Sequence, residues 1–151
     1  MRVSAKSDYA IRALVALAAA GDGPVKAERV SREQEIPLTF LENIMADLRQ
    51  GGLVDSRRGA DGGYWLARPA SEITLAEVIR TVDGPLANVR GLRPEQIDYA
   101  GAAAPLARVW VALRASLRAV LESVTVADVA RDELPPSVVA LLDDPEAWRP
   151  H

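Results

Sequence analysis

The clearest hydrophobic pattern in the chain lies in residues 38–50 and predicts one amphipathic helix. Apolar residues recur there every three or four positions and form a single stripe of Leu38, Leu41, Met45 and Leu48. A second face, at the same helical spacing, carries small or polar side chains, namely Thr39, Glu42, Asn43 and Ala46. Pro37 is tolerated at a first helical turn, and Gly51-Gly52 ends the helix. We therefore predict a helix with one buried side and one polar side.

Two short apolar segments follow this helix and predict a tight β-hairpin. Its strands would be Leu53-Val54 and Tyr64-Leu66, and residues 57–63, RRGADGG, lie between them. The glycines allow the positive φ angles that a sharp hairpin tip requires. A polar-faced helix followed by an arginine-tipped hairpin is the layout of a winged helix-turn-helix. In that layout the helix enters a major groove, and Arg57 and Arg58 reach phosphates or a minor groove.

The residues before this unit predict two more helices. Helical spacing of apolar residues between Tyr9 and Ala20 favours an amphipathic first helix. The alternative is a secretory signal, because basic residues precede eight apolar ones, but Asp8 and Arg12 interrupt that lead-in. No segment approaches the roughly 20 apolar residues of a membrane span.

Residues 25–35 predict a short second helix, separated from the third only by Ile36-Pro37. Two short helices so close together form the corner of a helix-turn-helix. The alternative is a plain αα-hairpin, which has no need of the β-hairpin that follows. The wing therefore favours the DNA-binding interpretation.

The second half of the chain predicts a capped fourth helix, a long loop and a long fifth helix. Thr74 and Glu77 match a capping box for a helix that ends at Asp83-Gly84-Pro85. Residues 86–103 lack a period and predict a loop with a short helical piece around 94–99. Residues 104–124 predict a helix of roughly 30 Å. Its narrow apolar stripe comprises Leu106, Val109, Trp110, Leu113, Leu117, Val120, Leu121 and Val124.

A stripe of this length suits pairing with an identical helix, although it could instead pack on its own domain. Thr125 and Asp128 predict the cap of a short helix over 126–132, residues 138–142 one further turn, and residues 143–151 a frayed tail. The expected organisation is a DNA-binding domain over 1–84 and an effector or linker loop over 85–103. A dimerisation helix with its following short helix would occupy 104–134, and a tail 135–151.

Charge and composition narrow the function further. The net charge of −3 argues weakly against nucleic acid, but residues 1–70 hold ten basic and nine acidic residues, whereas residues 71–151 hold eight and twelve. A near-neutral, arginine-bearing first half fits DNA recognition better than the acidic second half. The alternative is that the acidic residues form a solvated face with no functional meaning, which explains the same charges. The chain has no cysteine and one histidine, which excludes disulfides and cysteine-ligated clusters.

The sequence gives little support for an enzymatic function. Glu95, Asp98 and Tyr99 could form an acid–base group, but no nucleophile, metal site or phosphate loop accompanies them. A solvated polar loop explains these residues better. Trp65 and Trp110 are first of all packing residues, and a ligand pocket near Tyr99 and Trp110 is the alternative for an effector.

The combination of motifs resembles the Rrf-two family of bacterial winged-helix transcription regulators. The matching segments, in order over about residues 1–130, are MRVSAKSDYAIRAL, TFLENIMADLRQGGLVDSRRG, DGGYWLA, ITLAEVIRTVDGPL, RVW and TVADV. The wing and the preceding helix together are a specific combination, whereas either one alone would be weak. The resemblance implies a cytoplasmic homodimer that binds a pseudo-palindromic operator in double-stranded DNA as a repressor.

The resemblance also implies which residues contact DNA. It places Thr39, Glu42 and Asn43 on the recognition helix, and a glutamate there can accept a hydrogen bond from a cytosine amino group. From the wing, Arg57 or Arg58 would enter the minor groove, with Gly62 and Gly63 in the same candidate set. Phosphate contacts near the first helix would come from Arg2, Lys6 and Ser7.

One departure from the family is informative. Many members carry three cysteines before the long helix that hold an iron–sulfur cluster, and the first and last of these match about Gly91 and Ala104 here. Oxygen ligands such as Glu95 and Asp98 are poorly suited to iron–sulfide chemistry. We therefore expect no metal and no cofactor, and any effector would be a small molecule of unknown class. A protein-interaction module with weak or lost DNA binding is the alternative function.

Overall fold

The computed structural model describes residues 2–150 and is mainly α-helical with one small antiparallel sheet. Its regular elements are α1 Ala5–Ala20, α2 Ala27–Gln34, α3 Leu38–Gln50, β1 Val54–Arg57, β2 Gly63–Leu66, α4 Leu75–Asp83, α5 Leu106–Leu121, α6 Val126–Arg131 and α7 Pro136–Leu142. Short 3₁₀ turns occur at Ala70–Glu72, Pro94–Gln96, Gly101–Ala103 and Pro145–Trp148. The predicted fold class, a winged helix-turn-helix followed by a helical extension, is confirmed.

α1 lies at the centre of the core and packs against α2, α3, α4 and α6. Ala10, Ala13 and Ala16 are buried on it, and their small side chains let neighbouring helices approach closely. Larger apolar residues of α1 and of the surrounding elements fill the space: Leu14, Leu17, Val30, Ile36, Leu41, Ile44, Met45, Leu48, Leu53, Val54, Ile73 and Val78. The predicted buried stripe of α3 is part of this core, with Leu38 only partly buried.

α6 returns to this core through a short antiparallel clip. The Leu75 amide donates to the Val124 carbonyl over 2.9 Å, and the Val126 amide donates to the Ile73 carbonyl, also over 2.9 Å. α6 then packs on α1, with Val126 fully buried. The sequence grouped α6 with the dimerisation helix, whereas the structure places it in the core of the winged helix.

α5 is shorter than predicted. It covers 16 residues, or about 24 Å, instead of the roughly 30 Å expected for residues 104–124. The helix ends at Leu121, and the Val124 carbonyl three residues later accepts the hydrogen bond from Leu75 in the clip. α5 is therefore a projecting element whose two ends are tied, through the loop and the clip, to α4.

Other elements differ from the predictions at their ends. α2 begins at Ala27 because Val25 is paired with Tyr64 of β2. β1 extends to Arg57, so the hairpin tip is shorter than expected. The Thr74 side chain caps α4, but Glu77 pairs with Arg68 and does not complete the box. The tail is not simply frayed, since residues 145–148 form a 3₁₀ turn and Trp148 Nε1 donates to the Leu142 carbonyl over 2.8 Å.

Candidate nucleic-acid interface

The corner between α2 and α3 is held by two hydrogen bonds between the same two residues. The Ser31 hydroxyl donates to the Ile36 carbonyl over 2.6 Å, and the Ile36 amide donates to the Ser31 carbonyl over 3.0 Å. Glu35 adopts a left-handed φ of 52°, and Ile36 is buried. The three-residue turn is thus fixed from both sides, which sets the direction in which α3 leaves α2.

α3 presents its polar side to solvent. Thr39, Glu42, Asn43 and Ala46 are all exposed, whereas Leu41, Ile44, Met45 and Leu48 are buried on the opposite side. Phe40 is also 62% exposed at the start of this helix, although the sequence did not single it out. The exposed face therefore combines hydrogen-bonding groups with one aromatic ring, a set suited to reading base edges and thymine methyl groups.

The wing is an antiparallel hairpin of two four-residue strands, and its tip depends on two glycines. Val54 pairs with Leu66 and Arg57 pairs with Gly63. A Cβ atom on Gly62 would lie 2.0 Å from the Arg57 carbonyl oxygen, and one on Gly63 would lie 2.6 Å from the Val25 carbonyl oxygen. Both glycines are buried. Gly62 and Gly63, predicted to contact DNA, instead close the hairpin, because their backbones pack where no side chain fits.

Residues just before α2 hold the wing against the helix-turn-helix. Val25 and Tyr64 exchange both backbone hydrogen bonds, each 2.8 Å long. The Lys26 ammonium donates to the Gly59 carbonyl oxygen at the hairpin tip over 2.5 Å. Arg57 Nη2 donates to the Asp61 carbonyl oxygen over 3.1 Å and stiffens the tip from within. The wing is therefore a fixed extension of the recognition unit.

Three arginines lie between α3 and the wing. Arg49, Arg57 and Arg58 line a groove of about 280 Å³, together with Ala46, Ser56, Gly63 and Tyr64. Arg49 Nη1 donates to the Ser56 hydroxyl over 3.1 Å, which connects the end of α3 to β1. Arg49 is not among the residues predicted from sequence, because a basic residue in the last turn of a helix is already explained by the helix dipole. The groove concentrates positive charge beside the exposed face of α3.

The residues predicted to hold phosphate near α1 lie in different environments. Arg2 is exposed. Lys6 Nζ lies 2.7 Å from Asp47 Oδ2 and donates to the Val82 carbonyl over 2.9 Å, so it joins α1 to α3 and α4. Ser7 is fully buried, and its hydroxyl donates to Asp83 Oδ2 over 2.5 Å. The expectation that Ser7 contacts phosphate is wrong, because its hydroxyl is inside the protein and already bonded.

The apolar stripe of α5 is only partly covered by its own chain, with Val109 exposed and its other positions in α5 half-buried. None of the 16 residues of α5, all within the described range, is buried, and Val109 is 52% exposed. The helix rests on its own chain mainly through the 3₁₀ turn at 94–96 and through α4. Trp110 Nε1 donates to the Tyr99 hydroxyl over 2.9 Å. The two residues of the predicted effector pocket are therefore bonded to each other and pin the loop to α5.

Residues 3–132 match the family profile described as Rrf2, iron-dependent transcriptional regulator. The chain belongs to the Rrf2 family. The resemblance seen in the wing and its preceding helix is confirmed, and the function is that of a helix-turn-helix transcriptional regulator. The matched family and its named relatives are transcriptional regulators, which disfavours the enzyme interpretation.

Relatives in the Rrf2 family share most of their length with this chain. A Mycobacterium tuberculosis protein assigned to the HTH-type transcriptional regulators is 50% identical over 145 residues, covering 95% of this chain and 90% of that one. The regulator CymR of Bacillus subtilis is 33% identical over 132 residues, covering 86% and 90%. The regulator IscR of Cereibacter sphaeroides is 34% identical over 149 residues, covering 90% and 91%.

Solved structures agree with this assignment. The structure of CymR, the global cysteine regulator of B. subtilis, superposes with a TM-score of 0.73 at 30% identity, covering 87% of this chain and 97% of that one. The structure of T. potens IscR gives a TM-score of 0.68 at 31% identity, covering 100% and 93%. The winged-helix architecture of the Rrf2 regulators therefore extends to this chain.

The iron that the family description implies does not fit the donor atoms of this chain. There is no cysteine in the sequence, and within residues 2–150 no three His, Asp or Glu side chains converge as metal ligands do. In the loop before α5, the Glu95 carboxylate is paired with Arg114. Iron–sulfur clusters require thiolate or comparable soft ligands, so no cluster chemistry is assigned to this protein.

Among residues 2–150, no helix has the length and apolar character to cross a membrane.

Proposed function

We propose that this Rrf2 protein is a homodimeric repressor that binds a pseudo-palindromic operator through α3 and the wing. Thr39, Glu42 and Asn43 read base edges in the major groove. The wing arginines Arg57 and Arg58 lie beside that face and bind phosphate or the minor groove. The observation that carries the proposal is the fixed placement of the arginine-bearing wing next to the exposed polar face of α3, through Lys26 and Tyr64.

The homodimer is supported by the incomplete burial of the apolar stripe of α5, whose residue Val109 is 52% exposed. No residue of α5 is fully buried, so a second surface that covers the helix adds the free energy of burying the remaining apolar area. An identical helix across a two-fold axis covers the stripe and places two recognition helices on the same side of DNA. Half-sites about one helical turn apart, 10–10.5 base pairs, then match the protein symmetry.

Repression in this account is steric, because two bound heads occupy the major grooves of a promoter. Residues 1–84 with α6 form the DNA-binding part, and the loop over 85–103 connects it to α5. A small-molecule effector acts on the angle between the two heads through this loop. The cytoplasm, where the DNA of a bacterium lies, is the place of action.

The test is a selection of genomic DNA fragments by the purified protein at about 50 and about 200 mM salt. We expect enrichment of a short pseudo-palindrome, with an affinity that falls steeply between the two salt concentrations. No enrichment over random DNA, both in buffer and in cell extract, contradicts the proposal and favours a winged helix used for protein interaction.

A further inference from the structure

A charged cavity of about 590 Å³ lies between the end of α4, the loop after it and one side of α5. Ordinary ligand pockets have volumes of about 300–1,000 Å³. Gly84, Pro85, Leu86 and Ala87 form its apolar part. Its charged part consists of four arginines and two glutamates: Arg80, Arg93, Arg114, Arg118, Glu95 and Glu122.

Ion pairs within the cavity leave an excess of positive charge. Arg80 and Arg118 share the Glu122 carboxylate, the latter over 2.9 Å, and Arg114 pairs with Glu95. Arg93 has no ion-pair partner within 4.0 Å among residues 2–150. The two carboxylates leave a formal charge of +2 on the lining.

Both glutamates are ionised at neutral pH, so the net charge of the lining is positive. A backbone hydrogen bond at Glu95 and the Arg114 guanidinium lower the pKa of the Glu95 carboxyl. Hydrogen bonds from Arg80 and Arg118 lower the pKa of the Glu122 carboxyl. A cavity with net positive charge and several guanidinium groups attracts anions, and the planar fork of arginine matches carboxylate and phosphate oxygens.

Arg118 in the cavity lining lies opposite the exposed Val109 on α5. Arg118 follows Val109 by nine residues, which is two and a half helical turns, so the two point to opposite sides of the helix. A dimer centred on Val109 therefore leaves Arg118 accessible. The Tyr99–Trp110 pair, bonded to each other, is not part of this lining.

We infer that this cavity binds a small dianion, a dicarboxylate or a phosphomonoester, through Arg93 together with Arg80, Arg114 and Arg118. The two negative charges of the ligand balance the net charge of +2 on the lining. A ligand bound there bridges α4, which belongs to the DNA-binding part, and α5. The action of this ligand as an effector rests on the proposed function, whereas its binding to the cavity does not.

Direct calorimetric titration of the full-length protein tests the site, with succinate and inorganic phosphate as probes at pH 7.5. Succinamide is the neutral control, and sodium chloride keeps the ionic strength constant. We expect succinate, phosphate or both to bind to the wild type, and succinamide not to bind. Preference for succinate indicates a dicarboxylate ligand, and preference for phosphate indicates a phosphomonoester. Absence of binding by both anions overturns the inference.

Two variants locate the binding. Arg93→Ala removes a guanidinium without breaking an ion pair, and should weaken anion binding at least tenfold. Arg108→Ala removes an exposed arginine of α5 outside the cavity and should leave anion binding unchanged. Melting temperatures of both variants show that they are folded. Equal anion affinity of wild type and Arg93→Ala overturns the inference.

Titration of the same preparations with DNA separates this inference from the proposed function. A protein that binds DNA but neither anion contradicts the cavity site and leaves the regulator proposal intact. A protein that binds an anion at Arg93 but no DNA supports the cavity site and contradicts the regulator proposal.

Discussion

The Lys26 ammonium donates a hydrogen bond of 2.5 Å to the carbonyl oxygen of Gly59, thirty-three residues further along the chain. Lys26 is the residue directly before α2, and Gly59 lies at the tip of the wing. One side chain thus connects the helix-turn-helix to the hairpin that accompanies it. The wing keeps its position beside α3 before any DNA is present.

Replacement of Lys26 by alanine tests this connection. Loss of the hydrogen bond should make the wing tip more mobile and weaken DNA binding about fivefold, or about 1 kcal/mol. Hydrogen exchange of the amides in residues 58–62 measures the mobility, and fluorescence anisotropy measures the affinity. Arg29→Ala is the control, since Arg29 is an exposed basic residue of α2 that pairs with Glu33. Unchanged exchange at the wing tip in Lys26→Ala contradicts the connection.

The double substitution Arg57→Ala and Arg58→Ala should weaken binding to every DNA sequence. Each lost phosphate contact lowers the slope of log affinity against log salt by about 0.9. Anisotropy titrations of operator and random DNA at several salt concentrations give this slope. Arg108→Ala is the control and should keep the wild-type slope. A wild-type slope in the double variant excludes the wing arginines from phosphate binding.

Substitution of Glu42 by alanine should affect specificity more than affinity. Glu42 is exposed on α3, where a carboxylate can accept from a cytosine amino group and repel other bases. Its loss should reduce discrimination at one base pair by about 1–3 kcal/mol. Binding to an operator library with each base varied in turn measures this. If Glu42→Ala retains the complete base preference of the wild type, Glu42 does not read the operator.

A glutamate on the open face of α5 should prevent dimerisation. Val109 is 52% exposed in the single chain, so Val109→Glu should leave the fold intact while placing a charge in the proposed interface. Sedimentation equilibrium should give the mass of one chain for this variant and of two for the wild type. Val139→Glu, at a 42% exposed valine of α7, is the matched control and should remain dimeric. A monomeric wild type refutes the dimer.

Ser7 should contribute to stability and not to DNA binding. Ser7→Ala removes the hydroxyl that donates to Asp83 and should lower the free energy of unfolding by about 1 kcal/mol. Arg2→Ala should weaken DNA binding and leave the free energy of unfolding unchanged, since Arg2 is exposed and its guanidinium is a candidate phosphate ligand. Urea unfolding and the salt dependence of DNA binding separate the two effects. A reduced salt dependence in Ser7→Ala with unchanged stability would restore Ser7 as a phosphate contact.

The elements with strong local signals were predictable from sequence. α3 has the expected extent because its stripe is regular and two glycines follow it. The open side of α3 was predictable for the same reason, since hydrophobic spacing determines which residues remain outside. The caps at Thr74 and Thr125 were also visible in the spacing of hydroxyl and acidic residues.

Features that depend on distant contacts were not predictable. The end of α5 depends on the bond between Val124 and Leu75, and the placement of α6 depends on the same clip. Burial of Ser7 follows from its bond to Asp83, 76 residues away. Arg49 joins the arginine-lined groove only because β1 comes close to the end of α3. No local pattern carries such information.

Hydroxyl-radical footprinting of the selected operator, with wild type and the Arg57→Ala, Arg58→Ala variant, is the most direct test of the account. We predict two protected half-sites about one helical turn apart, related by two-fold symmetry. In the variant, protection at the flanks facing the wings should be lost while the central half-site protection persists at higher protein concentration. A single unsymmetrical footprint, or identical footprints for wild type and variant, contradicts a dimer that reads DNA with α3 and the wing.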